Sequence, residues 1–380
     1  MNIIVFYDTS NYIDFPIGGQ LTSVSNFLKY ITIKHRKQVE DIFLVGVTTE
    51  INKVGKIQNI IINNIKFKFL PVFYRDDKLD EVKKSMRLEF VNGLFKYRKL
   101  IPAGKKVIHF LHTPEAFIEI KLCHPFAKTA IFSHGSFFNM IKGFRFYQNN
   151  ILITRGFNVF IKWMIKHANL IFVLDSQSKE QYKKYNKNII SVNNSIVLPD
   201  IILQRDSYHS PLKLLFVGRL SKVKRIDEII NAVELMGKNV ELNIIGDGEE
   251  REKIETSILK NNLNCFIHLM GAVTPNKVQE YMKSNDILIM NSSFEGKPMT
   301  IIEAMSYGMP IITTNVGGIS ELLDDNIEGV FTDGSKDGIV KAIEIAKQNY
   351  CRMSNQACKK AKSYSYLEVN DLVWDELNKI

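Results

Sequence analysis

The sequence predicts an α/β protein: two Rossmann-like, doubly wound parallel-sheet domains in tandem, their strand ends facing a central cleft. Three observations predict it. The strand candidates are continuous Ile/Val/Phe/Leu runs rather than alternating ones, which marks strands covered on both faces, as in parallel sheets. Helical patterns lie between those runs, giving successive βα units. The alternation then stops at a stretch of breaker residues near Leu198 and starts again at Leu212.

In the front half the predicted strands are Asn2–Tyr7, Ile42–Val47, Lys66–Pro71, Lys106–Phe110, Thr129–Phe132, Leu170–Leu174 and Ile189–Val192. Helical patterns cover Leu21–Ile33 and Phe157–Ala168. Leu198-Pro199-Asp200 and Ser207-Tyr208-His209-Ser210-Pro211 carry the turn chemistry of a linker, set at 198–211. In the rear half, strand Leu212–Val217 leads into helix Ile226–Met236, and Val240–Ile245 into Glu249–Asn261. Phe266–Leu269 precedes helix Asn276–Lys283, Asp286–Met290 precedes Met299–Tyr307, and Pro310–Thr314 precedes a helix from Ile319. The domains are therefore predicted at 1–197 and 212–363. The amphipathic stretch 364–380, with Leu367, Leu372, Trp374 and Leu377, is expected to pack back on the first domain.

The 380 residues are 45% hydrophobic and 24% charged, ordinary for a soluble globular chain. The apolar run Ile3–Tyr7 lacks a basic start and a small-residue cleavage site, so a secretory leader is not expected. No apolar stretch approaches the roughly 20 residues of a membrane span. Cys123, Cys265, Cys351 and Cys358 show no metal-binding spacing and read as reduced thiols, so the expected location is cytoplasmic. The net charge of +10 is uneven: residues 1–199 hold 29 Lys and Arg against 14 Asp and Glu, and the rest hold 21 against 26. A basic front half suits a phosphate-bearing ligand, an anionic membrane or nucleic acid; a general lysine bias explains it equally well. The diffuse charge and the absence of a recognition motif argue against a nucleic-acid module.

The strongest chemical signal is Glu295-Gly296-Lys297-Pro298-Met299-Thr300-Ile301-Ile302-Glu303-Ala304-Met305. A strand delivers Glu295 to the sheet edge, Gly296 allows a tight turn, and Pro298 suits a helix start. The N–H groups that follow are free to bind an anion or hydroxyl. Glu303, one turn in, can accept from paired hydroxyls such as a ribose diol; the bland alternative is a solvated glutamate, disfavoured by its apolar neighbours. The second signal is Gly218-Arg219-Leu220-Ser221-Lys222-Val223-Lys224 after a strand. Departure of a nucleoside diphosphate leaves negative charge that a metal or fixed cations must stabilise. The chain has no Asp-x-Asp, so Arg219 and Lys224 are the candidates, and no metal or other cofactor is expected. Weaker signals are Gly18-Gly19 before the first helix, and His134 in Ser133-His134-Gly135 after a strand. Gly246 in Gly246-Asp247-Gly248 and the pair Gly317-Gly318 lie in further strand-to-helix turns. Glycines there suggest close backbone approach to a ligand, whereas His109 and His112 read as packing or loop residues.

Together these residues resemble glycosyltransferase family 4, with its GT-B fold of two Rossmann domains. The likeness spans nearly the whole chain. It is strongest over 216–323, where the Glu-x7-Glu segment, Gly308-Met309-Pro310 and Gly317-Gly318 carry it. The resemblance implies a retaining, metal-independent transfer of a sugar from a UDP- or GDP-sugar to a glycan or lipid-linked acceptor, in surface polysaccharide synthesis. It implies that Glu303 holds the ribose, Glu295 and His134 contact the sugar, and Arg219 and Lys224 hold the diphosphate. Backbone at Gly18, Gly19, Gly218, Lys297, Met299, Thr300, Gly246, Gly317 and Gly318 would line the donor. Three departures stand out: Arg225 replaces the usual glycine, Asn193-Asn194-Ser195-Ile196 replaces the usual linker entry, and no acidic residue follows His134. The alternatives are an epimerase of the same fold and a non-catalytic nucleotide- or nucleic-acid-binding module.

The acceptor is expected on the basic, aromatic front half. Residues 137–147 are apolar with interspersed cations. On helix 157–168 one face is core, and Val159, Lys162, Trp163 and Lys166 share the other. Trp among lysines suits a headgroup interface, so peripheral docking at an anionic inner membrane is expected; packing of Trp163 on a neighbouring loop is the competing reading.

Overall fold

The computed structural model describes all residues except 1–2, 10–11, 13–18, 40, 63–64, 76–85, 139–150 and 201–204. The chain divides into two units, one of residues 1–195 and 366–380 and one of residues 196–365.

The first unit is a sheet of eight strands: β1 (Ile3–Tyr7), β2 (Asp41–Thr48), β3 (Gln58–Ile62), β4 (Ile65–Tyr74), β5 (Val107–Leu111), β6 (Lys128–Ser133), β7 (Leu170–Val173) and β8 (Ile189–Ser191). Their spatial order is β3-β4-β2-β1-β5-β6-β7-β8. All neighbours are parallel except β3, a hairpin edge antiparallel to β4. Side chains alternate between faces with period two. Ile4 and Phe6 of β1 therefore enter one core and Val5 and Tyr7 the other, which is why the strand reads as unbroken apolar sequence. Helix α1 (Gly19–Lys34) supplies Val24, Phe27 and Leu28 to the first core. Helices α2 (Met86–Tyr97), α3 (Ala116–Cys123), α4 (Ile151–His167) and α5 (Ser176–Lys183) cover the other face.

The second unit is a six-stranded, all-parallel sheet of β9 (Leu212–Val217), β10 (Val240–Ile245), β11 (Ile267–Gly271), β12 (Ile287–Met290), β13 (Ile311–Thr314) and β14 (Gly329–Thr332). Its order is β11-β10-β9-β12-β13-β14, so the winding reverses between β9 and β12. Helices α6 (Ile226–Met236), α7 (Arg251–Lys260), α8 (Pro275–Ser284), α9 (Met299–Ser306), α10 (Lys336–Gln348) and α11 (Tyr350–Ala361) connect and cover it. The helix expected from Ile319 is only a short 3-10 turn, Ile319–Glu321, because the chain must reach β14 eight residues later.

Residues 205–211 belong with the second unit rather than forming a free linker. Arg205 is buried and donates to the carbonyls of Tyr307 at 2.7 Å and Met282 at 2.6 Å, tying the segment to the ends of α9 and α8. Helix α12 (Tyr366–Leu377) returns to the first unit. Its Val373, Trp374 and Leu377 join the α1-side core, Trp374 stacks on His35 at 4.3 Å, and Asp371 pairs with Lys34 at 2.8 Å.

The structure corrects the reading of Trp163. It does not share an open face with the lysines: its ring packs edge-on against Phe117 at 5.1 Å, while Val159, Lys162 and Lys166 are exposed. A bulky ring at the boundary of a helix's apolar stripe is drawn into the core by the area it buries. Most of segment 137–147 lies outside the described residues; of its first two, Phe137 is buried and stacked on Tyr182.

Candidate functional site

In an open parallel sheet the loops on the two sides of a winding reversal diverge, leaving a crevice at the strand C-terminal ends. In the second unit that place lies above β9 and β12. The loop after β9 carries Gly218, Arg219 and Lys224, and the loop after β12 carries Ser292, Glu295 and Lys297. The two loops meet through an ion pair between Lys224 Nζ and Glu295 Oε1, both largely buried. Ser292, wholly buried, donates its hydroxyl to the same Oε1 at 2.6 Å. Both donors thus converge on one carboxylate oxygen. Among the described residues Oε2 receives no bond.

The backbone beside Lys224 is unusual. Arg225 sits at φ 44°, ψ 49°, the left-handed region that disfavours any residue with a Cβ. Glycine, which the family resemblance implies at this position, would adopt it freely. Here the side chain compensates: Arg225 Nε donates to Asn291 O at 2.9 Å, and Asn291 Nδ2 returns a bond to Arg225 O at 3.2 Å. The guanidinium therefore links the two strand-end loops a second time.

Helix α9 begins at Met299 behind Pro298, with no side-chain cap. The N–H groups of Met299 and Thr300 have no acceptor among the described residues. A helix start with free N–H groups is an anion and hydroxyl site. One turn on, burial pushes the Glu303 carboxyl up from its ordinary pKa. No side chain of the described residues forms an ion pair with it. Lys297, beside the helix start, is ion-paired to Glu321 at 2.8 Å.

Arg219 is placed differently. Its guanidinium is 75% exposed and lies on Glu249 at 3.2 Å, away from the buried Lys224–Glu295 pair. The glycines also have a different reason. A Cβ on Gly317, at φ 59°, would stand 1.7 Å from Glu295 O, and one on Gly318 would stand 2.7 Å from Gly296 O. A Cβ on Gly246, at φ 139°, would stand 1.8 Å from Gly218 O. These glycines admit the backbone of neighbouring protein loops. Gly218 itself has room, its nearest contact being 3.5 Å.

In the first unit His134 follows β6 and His112 follows β5, and their rings meet with His112 Nδ1 at 2.8 Å from His134 Nε2. His112 lies buried against Phe132, 5.3 Å away and nearly coplanar. Burial pushes His134 down to about 3 and His112 well below its ordinary value, so both rings are neutral and one donates to the other. His112, expected as packing, thus also orients His134. His109 is buried and bonded to Tyr7 at 2.7 Å. Gly18 lies outside the described residues, and Gly19 opens α1.

The second unit has a sheet of Rossmann order, with a cation and a carboxylate joined at its reversal point and an uncapped helix start behind them, which defines an α/β protein of the Rossmann class. The whole chain superposes on Anabaena HepE in complex with UDP-glucose with a TM-score of 0.70, covering 100% of both chains at 15% identity, which shows the GT-B fold. Residues 200–364 match the family model of the glycosyl transferases group 1. The chain is 26% identical over 325 residues to an uncharacterized glycosyltransferase of Methanocaldococcus jannaschii, covering 83% of this chain and 81% of that protein. It is 28% identical over 185 residues to the lipopolysaccharide 1,6-galactosyltransferase of Salmonella typhimurium, covering 46% of this chain and 52% of the relative. The part of the second unit that the family model covers is therefore a glycosyl transferases group 1 domain, and the chain is similar over most of its length to a glycosyltransferase.

Proposed function

We propose that this glycosyltransferase moves a sugar, with retention of configuration and without a metal ion, from a UDP- or GDP-sugar to a glycan or lipid-linked acceptor of a surface polysaccharide. The observation that carries the reading is the Lys224–Glu295 pair at the reversal point of the second sheet, beside the free N–H groups of α9. In this reading the α9 start and Lys224 hold the diphosphate, whose charge grows as the glycosidic bond breaks. Arg219 joins them on leaving Glu249; an exposed ion pair costs little to give up. Glu295, held through one oxygen, offers the other to a sugar hydroxyl. Glu303, half-buried, its carboxyl desolvated, and without an ion-pair partner among the described residues, accepts from the ribose diol, which relieves that desolvation. His134 contacts the sugar from the first unit. The relative that acts on lipopolysaccharide and the fold neighbour solved with UDP-glucose support the donor and acceptor classes.

The test is donor hydrolysis across UDP- and GDP-sugars in EDTA, comparing wild type with Glu303→Ala and Lys224→Ala. Turnover with one donor class that survives EDTA and falls in both variants is expected. Turnover that requires added Mg²⁺, or that is unchanged in both variants, refutes the assignment.

A further inference from the structure

The edge of the first sheet opposite to its strand C-terminal ends carries a feature that the transfer reaction does not use. Lys105 and Lys106 precede β5, Lys128 opens β6, and the two strands are neighbours with Ile108 opposite Lys128. The three lysines line a cavity of about 170 Å³ with Ile108, Leu377 and Ile380. One donor of Lys128 is taken by the main-chain oxygen of Ile380 at 3.0 Å. Nearby on the return helix, Glu376 is paired with Lys379 at 2.7 Å.

Beside this cavity the loop between α3 and β6 presents Phe126 at 99% exposure, with Leu122 at 66%. The presentation is built. Pro125 stiffens the loop, Ala127 N donates to His124 O at 2.9 Å, and Lys121 Nζ donates to Ala127 O at 2.8 Å. A phenylalanine held wholly in water forgoes the gain that burial would bring. From Arg98 to Lys128 the only acidic residues, Glu115 and Glu119, are both buried, so this segment presents cations and apolar side chains; the neighbouring carboxylates are Asp375 and Glu376 of the return helix, the latter paired with Lys379. Helix dipoles do not account for the charge. Lys121 sits in the last turn of α3, where a cation suits the carbonyl end, but Lys105, Lys106 and Lys128 stand at strand starts.

We propose that this edge docks on an anionic phospholipid surface, with lipid phosphate at Lys105, Lys106 and Lys128, and with Phe126 and Leu122 entering the headgroup layer. An exposed aromatic side chain next to a lysine-lined cavity matches an interface where apolar insertion and surface potential add. It replaces the Trp163 face as the membrane contact. It rests on the transferase reading only in that a lipid-linked acceptor is found at such a surface.

The experiment is sedimentation of the full chain with phosphatidylglycerol–phosphatidylcholine vesicles and with pure phosphatidylcholine vesicles, at low and high salt. Donor hydrolysis is measured in parallel without lipid. Salt-sensitive binding to the anionic vesicles alone is expected. The double change Lys105→Ala and Lys106→Ala should weaken it about 30-fold, and Phe126→Ala about tenfold. Inorganic phosphate should not compete at matched ionic strength, because the surface as a whole is recognised. Wild type that ignores anionic vesicles overturns the proposal, as does equal binding by the variants, equal binding to an oligonucleotide, or displacement by free phosphate. Hydrolysis should be the same in wild type and variants. If hydrolysis is absent from all while vesicle binding behaves as stated, it is the transfer reading that has failed, not this one.

Discussion

Ser292 gives the sharpest test of how the site is held. Its hydroxyl lies 2.6 Å from Glu295 Oε1, is wholly buried, and shares that oxygen with Lys224. Removing the hydroxyl in Ser292→Ala deletes one hydrogen bond to a charged acceptor, a contact worth about 1.5–3 kcal/mol. Lys224 still satisfies the same oxygen, so the lower end applies, about 1.5 kcal/mol, or roughly tenfold in kcat/KM. On the proposed roles, with Glu295 at the reacting sugar and Glu303 and α9 at the nucleotide, the loss should fall on kcat more than on KM. Steady-state kinetics on the cognate donor reads both parameters. Thr314→Val is the control, because it removes the 2.6 Å bond to the carbonyl of Ser292 and leaves the hydroxyl in place. Unchanged kcat/KM in Ser292→Ala, with the fold intact, would refute the argument.

Other perturbations separate strain from chemistry. Gly317→Ala drives a Cβ to 1.7 Å from Glu295 O at positive φ, and should destabilise the second unit by about 3 kcal/mol or more in denaturant melts; Gly218→Ala, with 3.5 Å of room, should cost under about 1 kcal/mol. Arg225→Gly relieves a left-handed backbone, a gain of about 1 kcal/mol, but loses hydrogen bonds from a charged donor worth about 1.5–3 kcal/mol, so a net loss of about 1 kcal/mol is expected. Glu303→Gln should raise the melting temperature at pH 7.5 and not at pH 4, while abolishing stabilisation by nucleoside diphosphate. Its folded pKa is raised, so the folded state binds the extra proton, and stability falls as pH rises above the unfolded value of 4.5. His134 has the opposite sign. Its folded pKa of about 3 lies below the unfolded 6.5, so stability is lost as pH falls from 6.5 toward 3, and His134→Asn should flatten that decline in a pH series of melts.

Burial on both faces made most of the fold legible. Strands Leu212–Val217 and Val240–Ile245 and helix Ile226–Met236 fall where continuous apolar runs and the 3.6-residue period put them. The edge strand β3 was missed because Gln58–Ile62 has only one partner and its apolar run, Ile60-Ile61-Ile62, is short. Helix α10 was legible but passed over: Ile339, Ala342, Ile343 and Ala346 keep the amphipathic spacing. Site residues were visible where chemistry and spacing coincide, as in Glu295 and Glu303. What stayed hidden depends on distant parts of the chain. The replacement of glycine by Arg225 could be seen, but not its compensation, which comes from a carbonyl 66 residues away. Nor does any local pattern say that Ser292 points at Glu295, that Arg219 lies on Glu249, or that His112 underlies His134.

The glycines at the rim of the second sheet bear on how such an enzyme can change. Gly246 leans on Gly218, Gly317 on Glu295 and Gly318 on Gly296, so the turns are interlocked like stones in an arch. An insertion in one turn would have to be matched in its neighbour. A lineage exploring new donors therefore has little freedom to remodel this backbone and must work by exchanging side chains along an inherited frame.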